Sequence, residues 1–152
     1  MRTPPEALKE LDTLLRKTPL YSVFGIELVQ WSPGTARFRL ATRAEHANLG
    51  GSVHGGVLFS LADAAFEVAC NGYGRVAVAL ETSCHYSAAT MVGDVLQAEA
   101  VEVSRTRRTA SYRIEIRAED GGLRAWYMAL AYRTERWHLG AERWPDAWRE
   151  TY

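Results

Sequence analysis

Apolar and polar positions change rhythm several times along the 152-residue chain, and each rhythm predicts an element. Leu8, Leu11, Leu14 and Leu15 recur at helical spacing, with prolines in the first turn and Thr18-Pro19 as a stop. They predict a short amphipathic helix over residues 4–17 that serves as a lid or packing element. Residues 23–31 and 35–40 read as a hairpin across Ser32-Pro33-Gly34. In its second arm Ala36, Phe38 and Leu40 face one way, and Arg37 and Arg39 the other. A loop of small and polar residues over 42–53 leads into the least polar stretch of the chain. Beyond the opening Gly55-Gly56, that stretch runs to about Asn71 without proline or glycine and is rich in Ala and Leu, which predicts a helix of four to five turns. Its apolar residues point all round the axis, so the helix is buried. Only Ser60, Asp63, Glu67 and Asn71 break the apolarity, on one narrow stripe.

After Gly74 the rhythm shortens to that of strands. Residues 76–83 are small and β-branched and predict a central strand. Residues 95–104 and 109–117 alternate, the second through Tyr112, Ile114 and Ile116, and 123–132 closes the series after Glu119-Asp120-Gly121-Gly122. The stretch 137–152 carries Trp137, Trp144, Pro145 and Trp148 and reads as a segment packed on the body. This order predicts an α+β architecture, in which one long helix is wrapped by an antiparallel sheet of five or six strands.

Composition narrows the function classes. Eighteen basic and eighteen acidic residues cancel, which argues against nucleic acid or an anionic membrane as the main partner. Two cysteines without paired spacing, Cys70 on the buried helix, suit a reducing compartment. The polar N-terminus has no apolar signal region and no run approaches membrane-spanning length, so a soluble cytoplasmic protein is expected. Five Trp and seven Tyr include enough aromatic surface for subunit contacts.

No nucleophile elbow, phosphate loop, dinucleotide fingerprint or zinc spacing occurs, so neither a metal nor a cofactor is expected. What remains is a glycine turn opening a helix, with an Asp further along it. Backbone N–H groups at Gly55 and Gly56 are free to hold a carbonyl oxygen, helped by the helix dipole and by the missing Cβ atoms. Asp63 lies about 12 Å from Gly55 at a rise of 1.5 Å per residue, too far for one chain to bring both to one carbonyl. Antiparallel helices in a symmetric dimer would bring Asp63 of one chain to Gly55 of the other. A structural reading of Asp63, as a buried carboxylate accepting bonds from Ser or Asn, stays open. So do a loop-capping Asn48, a turn-bracing His54 and a solvated or interfacial Glu67.

The string Asn48-x-x-Gly51-x-x-His54-Gly55-Gly56-x-x-Phe59-x-Leu61-Ala62-Asp63-x-Ala65-Phe66-x-x-Ala69-Cys70-Asn71 resembles the hotdog-fold acyl-CoA thioesterases of the phenylacetate-degradation (PaaI) type. The resemblance extends to about Arg133 and leaves out the N-terminal helix and the Trp-rich tail. It implies a thioesterase domain over 21–136, flanked by a helix within 1–20 and a tail over 137–152. It also implies dimers paired into tetramers and a site between subunits. The function implied is hydrolysis of an acyl or aryl thioester to a carboxylic acid and free coenzyme A, which enters as substrate and not as cofactor. Carried over by position, Asp63 matches the catalytic carboxylate, Gly55 the oxyanion N–H, Asn48 a residue orienting the thioester or water, and His54 the brace of the turn. Gly56 and the cluster Arg105, Arg107 and Arg108 are the candidates for substrate binding, the arginines for the coenzyme A phosphates. Glu67, and the lack of an acidic residue and Arg-Pro around 84–89, depart from the family pattern and bear on acyl preference. The rival reading from another class is a non-catalytic acyl-CoA-binding regulatory domain of the same fold.

Overall fold

The computed structural model of the chain describes residues 5–152; the beginning of the expected N-terminal helix and of the polar N-terminus lies outside the described residues. The elements follow as α1 (Ala7–Leu15), α2 (Pro19–Phe24), β1 (Ile26–Ser32), β2 (Thr35–Ala41), α3 (Gly55–Asn71), β3 (Arg75–Tyr86), β4 (Val95–Arg105), β5 (Thr109–Ala118), β6 (Leu123–Trp137) and α4 (Asp146–Thr151). Six antiparallel strands form one sheet in the order β1-β2-β4-β5-β6-β3. α3 packs against the sheet's inner face and buries Val57, Leu58, Leu61, Ala65, Phe66 and Val68 there. This is the architecture that the chain's rhythm and its resemblance imply.

Three boundaries differ from expectation, each for a local reason. The strand expected from Val23 starts instead at Ile26, because Thr18-Pro19 begins a helix as well as ending one. Pro19 takes the first turn of α2, whose fixed φ it suits. Gly25 ends α2 in the left-handed region at φ 73°, which only glycine adopts freely. The stretch expected as a central strand is the edge strand β3, and it runs on to Tyr86. Its apolar content is not spent on the chain's own core: Val78 and Leu80 are 46% and 57% exposed. β6 continues past residue 132 to Trp137, where it still pairs with Arg75.

Both flanks join the central core. Leu11 and Leu15 from α1, and Trp144 and Trp148 from the tail, are buried in the same hydrophobic cluster as α3 and the sheet. The Trp144 indole N–H donates to the His138 carbonyl at 2.7 Å, and that of Trp148 to the Tyr73 carbonyl at 2.9 Å. Among the described residues no helix is long and apolar enough to cross a membrane.

Candidate functional site

The start of α3 is held by a compact loop. Ala47 and Val53 pair across its base, and Asn48 closes its tip. The Asn48 side-chain oxygen accepts from the Gly50 and Ser52 N–H groups at 2.9 and 3.2 Å, while its amide donates to the Ser52 hydroxyl at 3.0 Å. His54 is the N-cap of α3, and its Nδ1 accepts from the Gly56 N–H at 2.8 Å. That bond assigns the lone pair to Nδ1 and occupies Gly56, so one of the two glycine donors is spent within the chain. The Gly55 N–H has no partner among the described residues and opens the helix beside a cavity of about 450 Å³. Asn48 lines the same cavity. Tyr86 forms its wall and donates its hydroxyl to the Gly55 carbonyl at 3.1 Å, and a Cβ at Gly55 would stand 3.2 Å from the Tyr86 ring. Gly55 is therefore required for close approach from this side. Thr90, buried at the back, has a hydroxyl without a partner.

The polar stripe of α3 divides by function. Ser60 donates to the Gly56 carbonyl, inside the helix. Asn71 is buried and structural: its amide donates to the Glu67 and Ala77 carbonyls, and its oxygen accepts from the Ala77 N–H and faces His138 Nε2 at 2.8 Å. Asp63 and Glu67 instead face a groove of about 690 Å³, between the α1–α2 segment and the start of β3. Asp63 has no hydrogen bond or ion pair among the described residues. Burial raises its pKa, because the charged form loses hydration without gaining a donor. Burial also raises the pKa of Glu67; the Tyr21 hydroxyl, donating to Glu67 Oε2 at 2.9 Å, opposes that shift, and the nearby Asp63 adds to it. Cys70, on the groove floor, is pushed up to about 12 by burial and stays a protonated thiol.

The expected arginine cluster is split. Arg105 turns under the tail: its guanidinium lies 4.8 and 5.0 Å from the centroids of the mutually packed Tyr73 and Tyr152 rings, pairs with Glu102 at 3.2 Å and donates to the Thr151 carbonyl at 3.3 Å. It is committed to structure, since the same fork cannot also clasp a phosphate. Arg107 and Arg108 stay exposed on the β4–β5 turn, with Arg107 3.8 Å from Glu135.

Tyr21, Tyr86, Thr90 and His138 line or support these cavities but have no signal in the sequence. Each reaches the site through a contact with a distant part of the chain, such as that between Tyr21 and Glu67, 46 residues apart. Among the described residues no group of three His, Cys, Asp or Glu side chains could hold a metal ion.

A helix laid on a six-stranded antiparallel sheet, with a glycine donor at one end of the helix and a carboxylate unpaired among the described residues midway, is an arrangement able to polarise a carbonyl and to supply a base. The model of the Thioesterase superfamily matches residues 50–125, and the chain belongs to that family. A protein of Archaeoglobus fulgidus, named as a candidate esterase, is 34% identical over 122 residues, which are 80% of this chain and 79% of that one. The acyl-coenzyme A thioesterase PaaI of Escherichia coli is 38% identical over 92 residues, 60% of this chain and 66% of its own. The solved structure of the E. coli PaaI protein from the phenylacetic acid degradation operon superposes with a TM-score of 0.80 at 30% identity, covering 84% of this chain and 93% of that one.

Proposed function

We propose that the protein is an acyl-CoA thioesterase whose active site is completed by a second copy of the chain. The observation that carries this reading is a pair of unsatisfied groups on one helix. The Gly55 N–H and the Asp63 carboxylate lack partners among the described residues, and they lie too far apart along α3 to share one carbonyl. A two-fold axis that sets two α3 helices antiparallel supplies each with the other. The uncovered β3 edge beside α3 supports that pairing, because an exposed apolar edge strand invites an equivalent strand. Resemblance to the family further implies pairing of these dimers into tetramers.

In such a site the thioester carbonyl accepts a hydrogen bond from Gly55 of one subunit, which stabilises the negative charge developing on oxygen. Asp63 of the other either attacks the carbonyl carbon or takes a proton from an attacking water. Direct attack gives a mixed anhydride that water then hydrolyses, while the departing thiolate takes a proton from solvent. As a base, Asp63 passes the water's proton to the departing thiolate. Either way the carboxylic acid and free coenzyme A result. His54 acts through its bond to Gly56 as a positioning residue. Asn48, tied into its loop, presents its amide toward the carbonyl or water from the cavity it shares with Gly55. In this reading Arg107 and Arg108, exposed on the β4–β5 turn, bind the coenzyme A phosphates.

A panel of acyl-CoA thioesters, with thiol release as readout, tests the reading. The native protein should turn over at least one member, and Asp63→Asn should lower kcat by about 10²- to 10⁴-fold while the fold persists. Tight acyl-CoA binding without thiol release would make the chain a binding domain. Near-native turnover by Asp63→Asn would remove that carboxylate from the chemistry.

A further inference from the structure

Leu49 has no place within its own chain. It sits at the tip of the loop closed by Asn48 and is fully exposed, at 108% of its reference area. Met91, bridged to Ser52 at the other end of the loop, is apolar and exposed as well, at 57%. An apolar side chain held out on a braced tip, with Gly50 and Gly51 beside it and no bulky cover, is built to enter something.

The groove beside Asp63 has the matching character. Its walls are Leu14, Leu15, Leu20, Phe66, Val76 and Val78, while Asp63 and Glu67 lie along its floor. Leu20 is exposed in the single chain, as is Val78. We infer that in the dimer each subunit seats its Leu49 in the groove of its partner, at the end marked by Cys70 and Val76. There it closes the acyl chamber. This rests on the antiparallel dimer proposed above.

Three observations select a second copy of the chain as the occupant. The pairing that sets Gly55 against Asp63 carries the residues before Gly55 further along the partner helix. The Asn48–Ser52 loop therefore arrives over the stretch beyond Glu67, where the groove lies. The charges are complementary: the loop brings the positive N-terminal end of α3, with its free Gly55 N–H, over the Asp63 and Glu67 carboxylates. Finally, the groove reaches the start of β3 at residues 76–79, where the edge that the dimer would cover begins. An acyl chain entering past Asp63 would run along α3 toward Asn71 and meet the partner subunit's Leu49. That side chain would then set the longest acyl group accepted.

The test places the photo-crosslinker p-benzoylphenylalanine at Leu49 and separately measures Leu49→Ala against a straight-chain acyl-CoA series. Irradiation should give a covalent dimer whose cross-link maps to residues 14–20 or 66–79 of the other chain. Leu49→Ala should raise kcat/KM for the longest substrates relative to the shortest, by roughly fourfold for each methylene newly buried. Cross-links confined to one chain or mapping elsewhere, or an unchanged chain-length profile beside normal activity, overturn the inference. Should no acyl-CoA be hydrolysed at all, the functional reading fails, but the cross-link map still decides where Leu49 docks.

Discussion

The two edges of the sheet are built alike and finished differently. β1 and β3 each carry a bulge, and each bulge presents an exposed aliphatic residue, Val29 at 48% and Leu80 at 57%. β1 is short and covered. The Arg16 guanidinium from the α1 end donates to the Leu28 carbonyl at 2.9 Å, and the Trp31 indole donates to Asp12 at 2.6 Å. β3 is 12 residues long, and from Val78 to Tyr86 only Thr82 is even half-buried. Proteins protect sheet edges by shortening, charging or covering them. β1 follows that practice and β3 does not, although β3 is the edge next to Asp63. The difference supports the proposed pairing, in which β3 becomes an interior strand of a larger assembly and its apolar residues join a core that the single chain does not complete.

The strongest way to break this comparison is one substitution on each edge. Leu80→Lys should leave the protein monomeric and remove most of its thioesterase activity, as the proposed site needs two chains. Val29→Lys should leave assembly and kcat/KM within about twofold, as is usual for surface changes of ±0.5 kcal/mol. Light scattering together with turnover reads both. Equal effects from the two variants would mean that the edges do not differ in role.

The split of the arginines gives a smaller contrast. Arg105→Ala should lower unfolding stability by about 1–2 kcal/mol, through loss of its cation–π contacts with Tyr73 and Tyr152. Replacing Arg107 and Arg108 together by Ala should leave stability alone and raise KM for acyl-CoA with little change in kcat, the sign of lost uniform binding. Denaturant titration and steady-state kinetics separate the two patterns.

The smallest expected effect is a stability gain at the site itself. The folded pKa of Asp63 lies above its unfolded value, so the folded state favours the protonated form. The stability this contributes is complete below the unfolded pKa, about 3.9, and is lost as pH rises through the folded pKa. Asp63→Asn keeps the group neutral throughout. Its Tm should exceed that of the native protein by at most a few degrees at pH 7, with the gain fading below about pH 4. A lower Tm at pH 7 would show that the ionised carboxylate is already satisfied.

How far the sequence could be read depended on whether the needed information was local. α3 was legible because its composition and lack of breakers are properties of one segment, and the hairpin arm Thr35–Leu40 because its alternation is. α2 was hidden, since Thr18-Pro19 reads equally as a stop and as a start. β3 was read as central from its apolar residues, and in the single chain it lies at the edge; composition reports that a strand is to be buried, not by which chain. In the candidate site, Gly55 and Asp63 stood out through motif and spacing. The commitment of Arg105 to Tyr152 was out of reach because 46 intervening residues fold back to make it, as was Tyr21 beneath Glu67.

Subunit complementation tests the shared site most directly. Asp63→Asn inactivates one half of each site, and Gly55→Val blocks the other by placing a side chain where the carbonyl must approach and Tyr86 already packs. In a mixed dimer one site receives both defects and the other neither. Co-refolding equal amounts of the two variants should pair about half the dimers as mixed and restore roughly a quarter of native activity, given random isologous pairing. Mixed dimers confirmed by mass but no more active than the separate variants would place the chemistry within one chain and contradict the account.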